Sequence, residues 1–131
     1  MRLLLDTHAW LWTLRSPEKL APRTRTILSS PNNELWLSSI SVWEALLLAE
    51  RGRLKQSRDL NVFIEKAVRT SLLREAPLTH AISLESRRIL QSHPDPADRF
   101  LVATARLLKL TLVTADATLL NSDLCETLPA A

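Results

Sequence analysis

The sequence is poor in glycine and cysteine. Its 131 residues include one glycine, Gly52, and one cysteine, Cys125. A single glycine cannot build the glycine-rich loops of dinucleotide-binding or P-loop proteins, so both of these phosphate sites are excluded. A single cysteine excludes a disulfide scaffold and a multi-cysteine zinc site. The fold must therefore rest on an apolar core, for which a chain of this length is large enough.

Long apolar runs are also missing. No stretch approaches the roughly 18 apolar residues of a transmembrane helix. Asp6 and His8 interrupt the first apolar run before it reaches the length typical of a signal peptide. The composition, 46% hydrophobic and 24% charged, is typical of a globular protein. We therefore expect a single domain over residues 1–131, located in the cytoplasm and without a membrane segment.

The positive charge is carried mainly by arginine. Seventeen Lys and Arg residues exceed fourteen Asp and Glu residues, and thirteen of the seventeen are Arg. Arginine binds phosphate and carboxylate through paired hydrogen bonds, which suits an RNA surface or a protein interface and does not choose between them. The candidate RNA contacts are Arg51 and Arg53, which flank Gly52, and Arg99. A solvated helix end or an ion pair explains these residues equally well.

Predicted strands and helices alternate along the chain. Strands are predicted at Leu3–Leu5, Glu34–Leu37 and Thr111–Ala115, with edge segments at Glu75–Leu78 and near Cys125–Leu128. Helices are predicted at Thr7–Arg15, Pro17–Leu28, Ser39–Arg51, Asp59–Leu73, Ala81–Gln91 and Pro96–Lys109, followed by a short helical turn. This alternation favours an α/β fold with a mainly parallel sheet.

Four acidic residues occupy positions at which helices begin or strands end: Asp6, Glu44, Asp98 and Asp116. Taken singly, each is better explained as a helix cap or a first-turn acid than as part of a site. The segment from Ser41 to Glu44 matches the capping-box pattern, and Asp95 is suited to cap the helix that contains Asp98.

Taken together, the four acids favour a metal site. The carboxyl ends of parallel strands lie at one edge of a sheet, so the four side chains can converge there. Clustered carboxylates repel one another unless a cation offsets their charge, and oxygen ligands suit Mg²⁺ or Mn²⁺. Such an ion recruits phosphate and can activate a water for attack on phosphorus. Thr114 precedes Asp116 by two residues, so its hydroxyl can orient a carboxylate or a bound water.

The other distinctive residues are expected to pack. The four tryptophans lie within apolar patterns, which favours core or interface packing over base stacking. His8 is expected to pack at the start of its helix. Cys125 is interpreted as a small buried hydrophobe. The leucine-rich helices are suited to dimerisation and to docking of a partner helix in a groove.

The chain resembles a PIN domain, and within that family a VapC-like toxin ribonuclease of bacterial toxin–antitoxin pairs. The similarity spans nearly the whole chain. It rests on four segments in the family's order and spacing: LLLDTHAWLW (3–12), SSISVWEALL (38–47), HPDPADRFLVATA (93–105) and LTLVTAD (110–116). One departure is visible, since Ala97 stands before the third acid where relatives often have Phe.

This resemblance implies a PIN-like three-layer α/β/α fold and Mg²⁺- or Mn²⁺-dependent cleavage of RNA. It also implies a homodimer and a cognate antitoxin. Asp6, Glu44, Asp98 and Asp116 match the family's four acids in order, whereas Asp95 is expected to remain a helix cap. Our hypothesis for the mechanism is that Asp6 and Asp98 hold the principal metal, and that Glu44 and Asp116 complete the acidic cluster through water or a second metal.

Three other functions are alternatives to a toxin ribonuclease. An aspartyl-phosphate phosphatase needs an Asp-x-Asp after its first strand, but the sequence there is Asp6-Thr7-His8. A PIN-like RNA- or protein-binding module without nuclease activity is disfavoured by the presence of all four acids. A solitary PIN nuclease in RNA processing remains an alternative.

Overall fold

The computed structural model describes residues 1–52, 60–89 and 95–131. Its five strands are β1 (Arg2–Leu5), β2 (Glu34–Ser38), β3 (Arg74–Ala76), β4 (Thr111–Thr114) and β5 (Thr127–Pro129). Its seven α-helices are α1 (Thr7–Arg15), α2 (Pro22–Ser29), α3 (Ser39–Glu50), α4 (Leu60–Thr70), α5 (His80–Arg88), α6 (Pro96–Leu108) and α7 (Ala117–Leu120). A 3₁₀ turn over Pro17–Lys19 precedes α2.

The strands form one parallel sheet in the order β3-β2-β1-β4-β5. The central strand β1 is buried on both faces, as its run of three leucines predicts. Leu3 and Leu5 pack into one apolar cluster, and Leu4 packs into a second cluster on the other face. Each of these side chains is at most 1% exposed, which stabilises the fold by about 1.5–3 kcal/mol per residue.

Helices cover both faces of the sheet. The cluster around Leu3 and Leu5 includes residues of α1, α3 and α4, with α2 packed against it. The cluster around Leu4 includes residues of α5, α6 and α7. The predicted α/β/α architecture with a parallel sheet is confirmed.

The predicted helix from Pro17 to Leu28 is divided in two. The 3₁₀ turn ends at Lys19, and α2 begins at Pro22. A proline disfavours helical backbone in the residue before it, and Ala21 is extended, with φ −58° and ψ 141°. Pro22 then occupies the first turn of α2, where its missing N–H costs nothing.

The predicted capping box at Ser41–Glu44 is wrong. Ser38 caps α3 instead, because its hydroxyl accepts a hydrogen bond from the Ile40 N–H. Ser41 lies inside the helix and is fully buried. Gly52 follows α3 with a left-handed backbone, φ +68°, the conformation in which glycine commonly ends a helix.

Three further details refine the prediction. Helix α4 ends at Thr70, three residues before the predicted end at Leu73. Cys125 is half-buried against the α5–α6 core, and burial raises the pKa of its thiol to about 11. No helix of the described residues is both long and apolar enough to cross a membrane.

Candidate active site

Two of the four acids follow adjacent strands. Asp6 comes directly after β1, and its N–H donates a 3.0 Å hydrogen bond to the Val113 carbonyl of β4. Asp116 follows the end of β4 by two residues. The parallel pairing of Leu5 with Val113 therefore brings both carboxylates to the carboxyl edge of the sheet.

Both of these acids cap a helix. The Asp6 Oδ1 accepts a 2.8 Å hydrogen bond from the Ala9 N–H at the start of α1. The Asp116 Oδ1 accepts from the N–H groups of Thr118 and Leu119, at 2.8 and 3.3 Å. Each cap engages Oδ1, so the Oδ2 of the same carboxylate is a second oxygen that a cation can use. Capping and metal binding are therefore compatible at both positions.

Thr114 connects these two acids. It is completely buried, and its hydroxyl accepts a 3.1 Å hydrogen bond from the Asp116 N–H. The same side chain hydrogen-bonds the Asp6 carboxylate. Burial raises the pKa of Asp6, while the hydrogen bonds from Thr114 and Ala9 act in the lowering direction. Thr114 is therefore placed to orient Asp6 and to favour its ionised form.

Glu44 reaches the same edge from α3. The Thr7 hydroxyl, in the first turn of α1, donates a short hydrogen bond to its Oε1. Thr7 is buried and Glu44 is half-buried. The bond holds the carboxylate toward α1, which begins directly after Asp6. No sequence pattern signals this contact, because it joins side chains on separate helices.

Asp98 enters from the first turn of α6. Asp95 caps this helix as predicted, accepting a 2.9 Å hydrogen bond from the Ala97 N–H. Burial raises the pKa of Asp98 from 3.8 to about 7, and the charges of four neighbouring acids add to the effect: Asp95, Asp116, Glu44 and Asp6. The carboxylates are thus close enough to oppose one another's ionisation.

The four predicted acids line one pocket of about 260 Å³. Its other lining residues are Thr7, His8, Trp12, Asp95, Leu101 and Ala115. His8 is exposed and lines this pocket, so the expectation that it packs at the helix start is wrong. Asp95 is predicted only as a helix cap, but it also lines the pocket as a fifth acid. Its position three residues before Asp98, in the DPAD segment, was the signal for this placement.

The donor set of this pocket is suited to a hard divalent cation. Its acidic side chains all present carboxylate oxygens, which are the ligands that hard cations prefer. The negative charges of these oxygens repel one another, and a divalent cation offsets that repulsion. Within residues 1–52, 60–89 and 95–131, no three acidic, histidine or cysteine side chains are placed so that together they could hold one metal ion. A cation in this pocket would therefore be held directly by at most two of the carboxylates, with water between it and the others.

The candidate RNA contacts lie at different places. Arg51 is the exposed cap residue at the end of α3. Arg99 is half-buried in the first turn of α6, next to Asp98. Arg53 lies outside the described residues. Their contacts with RNA remain predictions.

The tryptophans differ in their surroundings. Trp10 is 1% exposed in the core, as predicted, and Trp36 is half-buried between the guanidinium groups of Arg2 and Arg74. Trp43 is 56% exposed on α3, so core packing is wrong for this residue, whereas packing at an interface stays a prediction.

The family model of the PIN domain matches residues 3–122, and the chain belongs to this family. PIN domains are generally nucleases that use divalent metals. Comparison with curated proteins finds no match.

Several solved structures share the fold. DNA-bound VapBC from Salmonella typhimurium matches with a TM-score of 0.74 at 15% identity, covering 100% of this chain and 99% of that chain. VapBC2 from Rickettsia felis, bound to a promoter DNA fragment, gives 0.73 at 15%, covering 98% of each chain. FitAcB from Neisseria gonorrhoeae gives 0.63 at 21%, covering 95% of each. At these identities the likeness establishes the fold.

Proposed function

We propose that this protein is a metal-dependent endoribonuclease and the toxin component of a VapBC-type toxin–antitoxin pair. The observation that carries the proposal is the single pocket lined by four carboxylates at the carboxyl edge of the sheet: Asp6, Glu44, Asp98 and Asp116. Membership of the PIN family and the likeness to VapBC structures support the same function.

The proposed metal ligands are Asp6 and Asp98, with Glu44 and Asp116 acting through water or a second ion. Mg²⁺ or Mn²⁺ at this place would supply Lewis-acid activation of a water nucleophile and charge neutralisation at the scissile phosphate. Thr114 holds the Asp6 carboxylate, and Thr7 holds that of Glu44. Burial and the neighbouring acids raise the pKa of Asp98 to about 7 in the metal-free protein, and a cation bound there would favour its ionised form.

An apolar groove supports an antitoxin partner. It has a volume of about 410 Å³ and lies between α1, α2 and α4, with Trp10, Leu14, Leu28 and Leu73 among its lining residues. A groove of this size with apolar walls is suited to the apolar face of a helical segment. We assign it to the antitoxin.

A homodimer is the other assembly that we propose. Apolar side chains are exposed on α4 and just after it, including Val62 at 64% and Leu72 at 99%. Exposed apolar residues that lie close together favour an interface with another chain. The mass of the antitoxin-free protein in solution tests this part of the proposal. We place the protein in the cytoplasm, where RNA is available.

The decisive experiment is cleavage of a randomised single-stranded RNA pool by antitoxin-free protein, with Mg²⁺, with Mn²⁺ and with EDTA. We expect cleavage with either metal, none in EDTA, and at least a hundredfold loss for Asp98→Asn. The Leu84→Ala variant, at an exposed position on α5, is the matched control. Metal-dependent cleavage that survives in Asp98→Asn would overturn the assignment.

Growth of a bacterial host separates the toxin from the alternatives. Induced wild-type protein is expected to stop growth, and Asp98→Asn is not. Cleavage without growth arrest would favour a solitary PIN nuclease in RNA processing. RNA or protein binding by a folded wild type that cleaves no RNA would favour a PIN-like binding module.

A further inference from the structure

A second, larger groove opens beside the acidic pocket. It has a volume of about 660 Å³ and lies between α3, the segment after β3, and the start of α6. Its lining includes Trp43, Leu47, Arg51, Leu78 and Phe100. Glu44 and Asp95 line both this groove and the acidic pocket, so the two spaces adjoin each other.

One face of α3 forms the length of this groove. Trp43, Leu47 and Arg51 are spaced by four residues, which places them one above another on the same helix face. Trp43 lies next in sequence to Glu44, and Arg51 is about 12 Å further along the helix axis. The groove therefore runs from an acidic end, past an aromatic ring and apolar side chains, to a basic end.

We infer that this groove is a nucleotide subsite, in which an unpaired RNA base next to the scissile phosphate stacks on the Trp43 ring and a neighbouring phosphate contacts Arg51. This inference rests on the proposed nuclease function. Its structural basis is the position of the groove directly beside the acidic pocket, with Glu44 and Asp95 in the shared wall, and the charge at its two ends.

The chemistry of the groove matches a single strand. A base has an apolar face that stacks on an exposed aromatic side chain, whatever its identity. A phosphate on the far side of that base requires a positive partner, which Arg51 supplies. The separation of about 12 Å between Trp43 and Arg51 along the helix axis exceeds the rise of about 3.4 Å per nucleotide in a stacked strand, so at least one nucleotide fits between these two residues.

The exposure of Trp43 supports this occupant. Its side chain is 56% exposed, although α3 packs its Ala45 and Ala49 into the core. An exposed ring next to the residues proposed for catalysis is available to a ligand that is already held in the pocket. A second copy of this chain could also cover the ring, and the experiment below separates these two occupants.

Binding is measured in the Asp98→Asn background, with a labelled, randomised single-stranded RNA 12-mer followed by fluorescence anisotropy. We expect the dissociation constant to rise about tenfold for Trp43→Ala and Trp43→Leu, and less than twofold for Trp43→Phe, because stacking needs an aromatic ring. Arg51→Ala should lower the slope of log Kd against log salt by about 0.7, the loss of one phosphate contact. Leu84→Ala is the control and should bind like the parent.

Cleavage kinetics and sedimentation complete the test. With Asp98 intact, Trp43→Leu should raise KM and leave kcat nearly unchanged, with no change in oligomeric mass. Trp43→Leu that binds and cleaves like wild type would overturn the inference while leaving the proposed nuclease function in place. A Trp43→Leu variant that loses oligomeric mass while its RNA affinity is retained would assign the groove to a second copy. Absence of RNA cleavage and binding in wild type would overturn both proposals.

Discussion

The hydroxyl of Thr7 donates a hydrogen bond to the carboxylate of Glu44 and thereby joins the first turn of α1 to α3. Thr7 follows Asp6 directly, so one short segment carries both a proposed metal ligand and the side chain that orients another. Helix α3 is thus held at the proposed site by a side-chain contact as well as by its apolar packing.

Replacing Thr7 with Val keeps the side-chain volume and removes this donor. We expect the free energy of unfolding to fall by about 1–2 kcal/mol, because a buried hydrogen bond to a charged group is lost. We also expect kcat for RNA cleavage to fall several-fold, because Glu44 is no longer oriented. Urea unfolding and cleavage assays measure the two effects. Thr7→Ser retains the hydroxyl and is the matched control, and a Thr7→Val enzyme with wild-type kcat would make the bond purely structural.

The raised pKa of Asp98 predicts how stability depends on pH. Between pH 3.8 and about 7, the folded protein holds a proton that the unfolded chain has lost. The free energy of unfolding of the metal-free protein therefore falls as pH rises through this range. Asp98→Asn removes this contribution, so we expect the metal-free variant to be more stable than wild type at pH 8, by about 1–2 kcal/mol after solvent screening.

Thermal unfolding in EDTA between pH 5 and pH 8 tests this expectation. The Tm of Asp98→Asn should exceed that of wild type at pH 8 by several degrees, and the difference should shrink toward pH 5. The same variant is expected to be inactive, so stability and activity change in opposite directions. Parallel pH curves for the two proteins would contradict the assigned cause.

The two roles of Asp6 can be separated by two substitutions. Asparagine is as good a helix cap as aspartate, so Asp6→Asn should keep α1 stable while losing cation binding and cleavage. Asp6→Ala should lose both the helix cap and cation binding. Its free energy of unfolding should be about 1 kcal/mol lower than that of Asp6→Asn. Urea unfolding and calorimetric Mn²⁺ titration measure these effects. Equal stability of the two variants would show that the bond from the Ala9 N–H contributes nothing.

Thr114 is predicted to act through Asp6. Thr114→Val removes the buried hydroxyl that hydrogen-bonds Asp6, so the pKa of Asp6 should rise further and Mn²⁺ should bind several-fold more weakly than in wild type at acidic pH. The loss should shrink as the pH rises, because the carboxylate is then ionised in both proteins. Thr114→Ser is the control with the hydroxyl retained. A loss of affinity that is independent of pH would point instead to a change in geometry.

Cation binding should stabilise the folded protein. A ligand present at a hundred times its dissociation constant adds about 2.7 kcal/mol to the free energy of unfolding, so Mn²⁺ should raise the Tm of wild type at pH 7.5. The double variant Asp6→Asn, Asp98→Asn should show no rise, because two ligands are missing. An equal rise in both proteins would place the cation elsewhere on the molecule.

The parts of the fold that follow from local chemistry could be predicted. Continuous apolar runs predicted the buried strands β1 and β4, and Asp6 and Asp95 were recognised as helix caps from their positions before helical segments. The alternation of strands and helices predicts a parallel sheet, and a parallel sheet is sufficient to expect the acids at one edge. These features depend on residues that are neighbours in sequence, or on a general property of parallel sheets.

The remaining features depend on contacts that no spacing reveals. Ser38 and Ser41 are both suitable caps, and the choice between them depends on where β2 ends. The Thr7–Glu44 bond and the exposure of Trp43 depend on how α1, α3 and α6 pack. The raised pKa of Asp98 depends on its burial, on the charge of Asp95 at the start of the same helix, and on acidic charges from three other segments.

The central position of β1 has a consequence for biosynthesis. This strand precedes its neighbour β4 by more than a hundred residues in the chain. A growing chain therefore carries Asp6 long before Asp116 has been added, and the slow, non-local pairing of β1 with β4 must still follow. The proposed acidic site is thus incomplete in every nascent chain that has not yet reached Asp116.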